Sequence, residues 1–335
     1  MHPLTAFLAD ASSNWITFNV SAFKAQFWSN TFDGLAYGAI YALIAMGYTL
    51  VYGVLRLINF AHSEVFISGG YAVVFTLSFL GFGGSPPGLS LLPLIGDLIL
   101  ACLLAMLASG VVAIILERVA YRPLRRKGAP PLAFLITAIG ASFTIQYLIE
   151  WWRGPNAENS VIMFIPKPLF SVFGTNVDSQ ELTIFVAAIA LAVGIDQFIK
   201  RTRFGRGIRA VAQDPDTATL MGVNKERVIM MTFALGGILA GAAALFYVMK
   251  VPSGVIYNGG FILGIKAFAA AVLGGIGNVR GALLGGLIIG LIGDYGATLL
   301  GNAQWTDVIA FVVLVLILMI RPTGLLGESL GKARV

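Results

Sequence analysis

The sequence predicts an all-α protein that crosses a membrane many times. Of its 335 residues, 58% are hydrophobic and only 11% are charged, whereas a soluble domain carries about 25% charged residues. The apolar residues also fall in runs close to the roughly 20 residues that a helix needs to cross the hydrocarbon layer. Because lipid offers no partners for open backbone N–H and C=O groups, these runs are predicted to be helices.

Nine apolar runs follow one another along the chain. The seven clearest are residues 34–55, 91–116, 131–152, 182–199, 228–249, 281–300 and 308–320. Two more, residues 65–82 and 259–276, are shorter or interrupted by glycine, and either cross the membrane or re-enter it. We therefore expect about eight or nine membrane segments. Residues 1–33 precede them and mix aromatic with polar side chains, which favours an interfacial segment.

The basic residues predict the orientation, because lysine and arginine are retained on the cytoplasmic side. They concentrate in the loop 117–130, in the loop 200–227 and in the tail 322–335, whereas the loops 81–90 and 153–181 carry few. This pattern places the N-terminus outside and the C-terminus inside, with a transmembrane domain over residues 34–321. The net charge of +6 therefore reflects topology and does not indicate nucleic-acid binding.

Residues suited to catalysis are scarce. Two histidines and one cysteine cannot form a His/Cys metal cluster, and no phosphate-binding GxxxxGK[ST] motif occurs. We expect no catalytic residues, no metal and no nucleotide site in this chain.

Two ionisable residues fall inside apolar runs, where an unpaired charge is costly. Lys266 and Asp294 lie at similar depths from the outer ends of consecutive runs, so one hypothesis pairs them. The alternative, which the sequence favours equally, is that Lys266 extends outward and Asp294 faces a wet cavity.

A polar stretch joins the first two runs and contains Asn59, His62 and Glu64. Interrupted helices in transporters expose backbone groups to a substrate path, which makes these residues pathway candidates. A plain interfacial turn is the alternative.

The loop 200–227 predicts a short helix. Asp214 suits the N-cap, Pro215 the first helical position and Gly222 the stop. The helix would present Ala218, Leu220 and Met221. Its apolar side chains favour docking on another protein, although anionic lipid headgroups could also hold this loop.

Forty glycines form several GxxxG patterns, among them Gly34–Gly38, Gly237–Gly241 and Gly286–Gly290. Small residues let membrane helices pack closely. The pattern fits packing within the chain, and also a sliding or dimerising face.

Several motifs together resemble a known family, the H-type (LivH) permease subunit of branched-chain amino acid ABC importers. They are residues 41–48 with 58–62, 117–123, 205–210 with 214–222, 266–277 and 322–327. They occur in order over nearly the whole chain after Gly34. Ser63 is a departure, since the family usually has glycine before Glu64.

The resemblance implies an inner-membrane importer subunit with four kinds of partner: a second, M-type permease, two cytoplasmic ATPase subunits that bind the ATP, a periplasmic binding protein and membrane lipid. It implies that the short helix couples to an ATPase, and that Arg206 and Arg209 belong to the coupling segment. Asn59, His62, Glu64, Lys266 and Asp294 would then flank the translocation pathway. Alternatives are an ABC permease for urea or short amides, and a secondary transporter or channel for a small solute.

Overall fold

A computed structural model describes residues 18–327, except 86–87, 89, 157, 159–160, 173, 252–253 and 322. Most of the predicted interfacial segment and of the predicted tail lie outside the described residues. The helices, in chain order, are α1 Val20–Ala25, α2 Phe27–Leu55, α3 His62–Phe79, α4 Leu91–Leu116, α5 Arg122–Arg126, α6 Pro131–Arg153, α7 Ser179–Arg201, α8 Arg203–Gln213, α9 Pro215–Leu220, α10 Lys225–Lys250, α11 Gly260–Gly274, α12 Val279–Leu300 and α13 Trp305–Ile320. A π-helical turn, Glu117–Tyr121, joins α4 to α5.

The prediction of a polytopic helical protein is confirmed. Among the described residues, each of the nine apolar runs coincides with a helix: α2, α3, α4, α6, α7, α10, α11, α12 and α13. Six helical stretches are long and apolar enough to cross a membrane, while α11 and α13 are shorter. One departure from helix is a hairpin in the loop before α7, where β1 Pro168–Val172 pairs antiparallel with β2 Thr175–Asp178.

The first long helix begins at Phe27, seven residues before the apolar run that starts at Gly34, and the boundary at residue 33 between an interfacial and a transmembrane part stays a prediction. Polar residues that suggested an interfacial position find partners inside the bundle. Asn30 donates to the Thr298 hydroxyl at 2.8 Å, and Asp33 forms an ion pair with Lys250. Satisfied polar groups can continue a buried helix.

Helix α2 is the centre of the bundle, and its side chains are buried on nearly all sides. It packs on α10, α11 and α12. Helices α4, α6 and α7 are peripheral and turn many apolar side chains outward, among them Leu107, Phe143 and Val186.

Glycines bring the central helices together, which answers the question left open by the GxxxG patterns. A Cβ at Gly38 would lie 2.8 Å from the Leu287 Cα, and one at Gly290 would meet the backbone of Gly34 and Gly38. Gly237 and Gly241 approach α4 in the same way. These glycine faces serve packing within the chain.

The chain folds back between α2 and α3. Arg56 ends α2 in the left-handed conformation, with φ 53°, which costs about 1–2 kcal/mol for a residue with a side chain. Helix α3 then begins at His62, whose ring contacts Gly47. Gly47 lies two turns inside α2, about 12 Å from Leu55 at 1.5 Å per residue. The predicted interruption therefore lies inside the bundle.

The bundle has two distinct ends. The basic end carries α8 and α9, and there Arg56 donates to the carbonyls of Ala212 and Gln213 at the end of α8. The hairpin end carries β1 and β2, and there Lys250 bonds Glu181 in the first turn of α7.

Candidate functional site

Helix α9 has the geometry that the sequence predicted. The Asp214 carboxylate accepts from the N–H groups of Asp216 and Thr217 at 3.0 and 3.2 Å and from the Thr217 hydroxyl at 2.6 Å. These hydrogen bonds, with that of the Thr217 hydroxyl the strongest, lower the pKa of Asp214. Gly222 follows with φ 84°. Both ends of this short helix are thus fixed by local side-chain and backbone chemistry.

Two large apolar side chains at the end of α9 are exposed. Leu220 is 87% exposed and Met221 is 81% exposed. Ala218 was predicted on the same face, and that prediction was wrong: it is 5% exposed and packs into the bundle core. A helix of six residues is stable only when one of its faces packs against the rest of the protein. Ala218 lies on that packed face. We call Leu220 and Met221 the docking face.

Helix α8, which precedes α9 along the chain, is anchored to the end of α7. Gly205 lies directly against the Ile199 carbonyl at the end of α7, where any side chain would clash. Arg209 donates to that same carbonyl, so this predicted coupling residue fastens the loop to α7. Arg206 is exposed on the same helix.

Asn59 and His62 lie in a buried junction. Asn59 Oδ1 accepts from the Tyr121 hydroxyl at 2.8 Å and from the Ala61 N–H at 3.1 Å. The His62 ring packs on Tyr48, with ring centroids 4.7 Å apart, and its Nε2 lacks a hydrogen-bond partner among the described residues. Neither side chain lines a cavity described below.

Glu64 is completely buried in α3. Its Oε1 accepts from Gln146 at 2.8 Å, from Ser142 at 3.2 Å and from Ser63 at 3.3 Å, so this carboxylate ties peripheral α6 to the core. Within the described chain its Oε2 has no hydrogen-bond partner. It faces Gly260 at the start of α11, where a Cβ would lie 3.1 Å away.

Of the two hypotheses for Lys266 and Asp294, the structure contradicts the ion pair between them, and it also contradicts the outward extension of Lys266, which is 9% exposed. Lys266 forms an ion pair with Asp307 in the first turn of α13, and its ammonium group lies 5.7 Å from the centre of the Tyr41 ring. Asp294 instead lines a cavity of about 500 Å³ with Asp33 and Tyr37, as the alternative expected.

A second cavity, of about 370 Å³, opens at the basic end. Its lining includes Arg56, Arg125 and Phe134.

Sequence reasoning missed several polar residues that the fold brings together. Lys250 reaches Asp33 and Glu181 at the hairpin end, and Tyr121 and Gln146 contact the predicted residues Asn59 and Glu64. The sequence did contain a signal for Lys250. Asp33 directly precedes one apolar run and Lys250 directly follows another, so both charges lie at the outer ends of these runs. For Tyr121 and Gln146 no local pattern marks the contact.

Comparison with known proteins identifies this arrangement. The family model described as branched-chain amino acid transport system / permease component matches residues 30–318. The chain belongs to this family. The permease is 40% identical to the high-affinity branched-chain amino acid transport system permease protein BraD of Pseudomonas aeruginosa, over 88% of this chain and 94% of BraD. It is 35% identical to LivH of Escherichia coli K12, over 90% of this chain and 96% of LivH.

A solved structure shares the fold. It is PsaBC from Streptococcus pneumoniae in complex with Fab, with a TM-score of 0.51 and 11% identity, over 91% of the permease and 97% of that chain. The permease is thus a multi-pass membrane protein whose fold is similar to that of this solved chain.

Proposed function

We propose that the permease is one of two membrane subunits of an ABC importer that carries branched-chain amino acids across the bacterial inner membrane. Its partners are a second, M-type permease, two ATPase subunits that bind and hydrolyse ATP, and a periplasmic binding protein. The observation that carries the proposal is the docking face: two exposed apolar side chains on a short, capped helix outside the long apolar helices. Family membership supplies the substrate class.

The charge distribution supports an orientation with the basic end in the cytoplasm. Arg122, Arg125 and the loop from Lys200 to Arg227 all lie at that end, and lysine and arginine are retained on the cytoplasmic side. The ATPases therefore meet α9 from the cytoplasm. The N-terminus faces outward, and the hairpin end faces the binding protein.

The hairpin end supplies a polar entrance for a zwitterionic substrate. The cavity lined by Asp33 and Asp294 lies at this end, where Lys250 pairs with Asp33 and Lys266 pairs with Asp307. Carboxylate and ammonium groups in one region can each meet the opposite charge of an amino acid. The core beyond is tightly packed by Tyr41 and its neighbours, so a path through it needs a change of conformation or the second permease.

A reconstitution experiment tests this function. The permease is placed in proteoliposomes with and without its ATPases, M-type subunit and binding protein, and uptake of labelled leucine is followed. Uptake that requires both ATP and the binding protein is expected. Gradient-driven uptake by the permease alone would contradict the proposal and favour a secondary transporter or channel. Ligand binding by the partner binding protein, with leucine, isoleucine and valine against urea and acetamide, decides the substrate class.

A further inference from the structure

The π-helical turn Glu117–Tyr121 lies between two regions that an importer must connect. On one side is the docking helix α9, and on the other is the buried break between α2 and α3. Both Glu117 and Tyr121 point into the protein, with 0% and 1% of their surface exposed. Single π-helical turns occur frequently at functional sites. The extra residue makes such a turn less stable than an α-helical turn, so a π-helical turn that is retained often has a role.

On one side, the π-helical turn is connected to the docking helix α9 through the ion pairs of Glu117. Arg125, one turn after Tyr121, donates to Glu117 at 2.8 Å and to both carboxylate oxygens of Glu226 at 2.7 and 3.1 Å. Glu226 is the second residue of α10 and follows Gly222, the stop of α9, by four positions. Arg122 Nε lies 2.9 Å from Glu226 without hydrogen-bond alignment. A displacement of α9 therefore reaches Glu226 through a short connection.

On the other side, the π-helical turn is connected to the break between α2 and α3 through Tyr121. The Tyr121 hydroxyl donates to Asn59 Oδ1 at 2.8 Å, and the same oxygen accepts from the Ala61 N–H immediately before α3. The Tyr121 ring also packs on Phe233 of α10, with centroids 5.2 Å apart. The side chain of Tyr121 thus fixes the first turn of α3, and with it His62 and Glu64.

A separate contact joins the same two regions. Arg56, in its left-handed conformation next to the break, donates to the last carbonyls of α8 just before Asp214. The cavity of about 370 Å³ lies between Arg56, Arg125 and Phe134, so there is space for this region to shift. Coupling between distant sites requires such a contiguous network with an element that can change its arrangement.

We propose that the Glu226–Arg125–Glu117 ion-pair cluster and the Tyr121–Asn59 hydrogen bond transmit movement of the docking helix to the break before α3. These are positioning residues, and the inference rests on the proposed function. When an ATPase displaces α9, the start of α10 moves with it and shifts Glu226. Through Arg125, Glu226 then displaces the π-helical turn. Tyr121 in that turn moves with it and shifts the start of α3 through Asn59. Losing the hydrogen bond separates ATP hydrolysis from transport without removing any residue of the docking face.

The test uses the complete importer in proteoliposomes and measures leucine imported per ATP hydrolysed. Tyr121→Phe removes one oxygen from a packed ring. We expect ATP hydrolysis to stay within about twofold of wild type while the ratio falls about fivefold, the shift expected when one hydrogen bond no longer biases an equilibrium. Arg125→Gln should give a similar fall, and the double variant should be no worse than the more affected single variant, because both act on one connection.

Matched controls separate transmission from simple loss of structure. Tyr147→Phe removes the same oxygen from a 62% exposed tyrosine on α6 and should leave the ratio unchanged. Arg125→Lys keeps the charge and should recover part of the ratio.

Three results would overturn the inference. If both Tyr121→Phe and Arg125→Gln import as much leucine per ATP hydrolysed as wild type, the inference is overturned. The proposed function still stands in that case, provided that the wild-type importer shows ATP-dependent uptake. Parallel loss of ATP hydrolysis, transport and melting temperature would show a purely structural role. Failure of wild-type permease to assemble with ATPases would overturn both proposals.

Discussion

The ammonium group of Lys266 is paired with the carboxylate of Asp307, although Asp294 is the acidic residue within the adjoining helix α12. Lys266 is 9% exposed, and a half-buried ion pair loses much more when one partner is removed than an exposed pair does. The short loop between α12 and α13 places Asp307 at the start of α13, where a carboxylate also complements the helix dipole.

Charge reversal tests this pairing. Lys266→Glu should strongly reduce the amount of folded permease, because it places a second acid beside Asp307. Adding Asp307→Lys should restore most of it, whereas adding Asp294→Lys should not. Folded protein is measured by size-exclusion chromatography in detergent. Recovery by Asp294→Lys instead of Asp307→Lys would show that the pair was assigned to the wrong acid.

Charges on the docking face should prevent assembly. Leu220→Asp with Met221→Asp changes two side chains that contact little of the permease itself, so membrane insertion should be unaffected while ATPase copurification falls at least tenfold, since burying an unpaired charge in an interface is costly. The control Leu169→Asp makes the same change at an exposed residue of the hairpin and should keep the ATPases bound. Copurification that survives the double change would remove the docking assignment.

Asp214 should support ATPase binding by capping α9, and this support should not change with pH in the physiological range. Asp214→Ala removes an acceptor for three donors and should weaken ATPase copurification, while Asp214→Ser retains a capping oxygen and should weaken it less. Because hydrogen bonds lower the pKa of Asp214, its stabilising contribution is fully present above the ordinary carboxyl pKa and is lost only as pH falls through the lowered value. Copurification should therefore be constant from about pH 5.5 to 8; a steep fall within that range would argue against this cap.

Glycine at the crossing of α2 and α12 should tolerate no side chain. Gly290→Ala places a methyl group against the backbone of Gly34 and Gly38, so we expect a loss of about 1–3 kcal/mol in the free energy of unfolding. Gly194→Ala is the matched control: this helical glycine in α7 has open space around it, and stability should change by less than about 1 kcal/mol. Thermal unfolding in detergent measures both, and equal melting temperatures would contradict the packing argument.

The carboxylate of Glu64 should be needed for its oxygen rather than for its charge alone. Glu64→Ala leaves the donors of Gln146 and Ser142 buried without an acceptor, which should cost at least about 2 kcal/mol. Glu64→Gln keeps one oxygen for those donors and should retain more stability. The same unfolding measurement checks both variants. If Gln and Ala prove equally destabilising, the charge matters more than the hydrogen bonds.

Local chemistry explains which features the sequence could predict. Hydrophobic runs predicted the nine helices that coincide with them, and Asp214, Pro215 and Gly222 predicted α9, because each of these signals acts on its own few residues. The partner of Lys266 and the Tyr121–Asn59 contact depend on how distant segments pack. Lys250 and Asp33 are 217 residues apart in sequence. Burial of Ala218 was missed because a helix of six residues is too short for a hydrophobic periodicity that would distinguish its inner face from its outer face.

Residues near position 325 complete the hydrogen bonding at the end of α11, a helix that precedes them by two further helices. The N–H groups of Leu325 and Leu326 donate at 2.8 and 2.9 Å to the carbonyls of Leu273 and Gly274, at the end of α11. The residues that complete α11 are therefore translated after α12 and α13. Until Leu325 and Leu326 have been translated, the carbonyls of Leu273 and Gly274 lack these two donors.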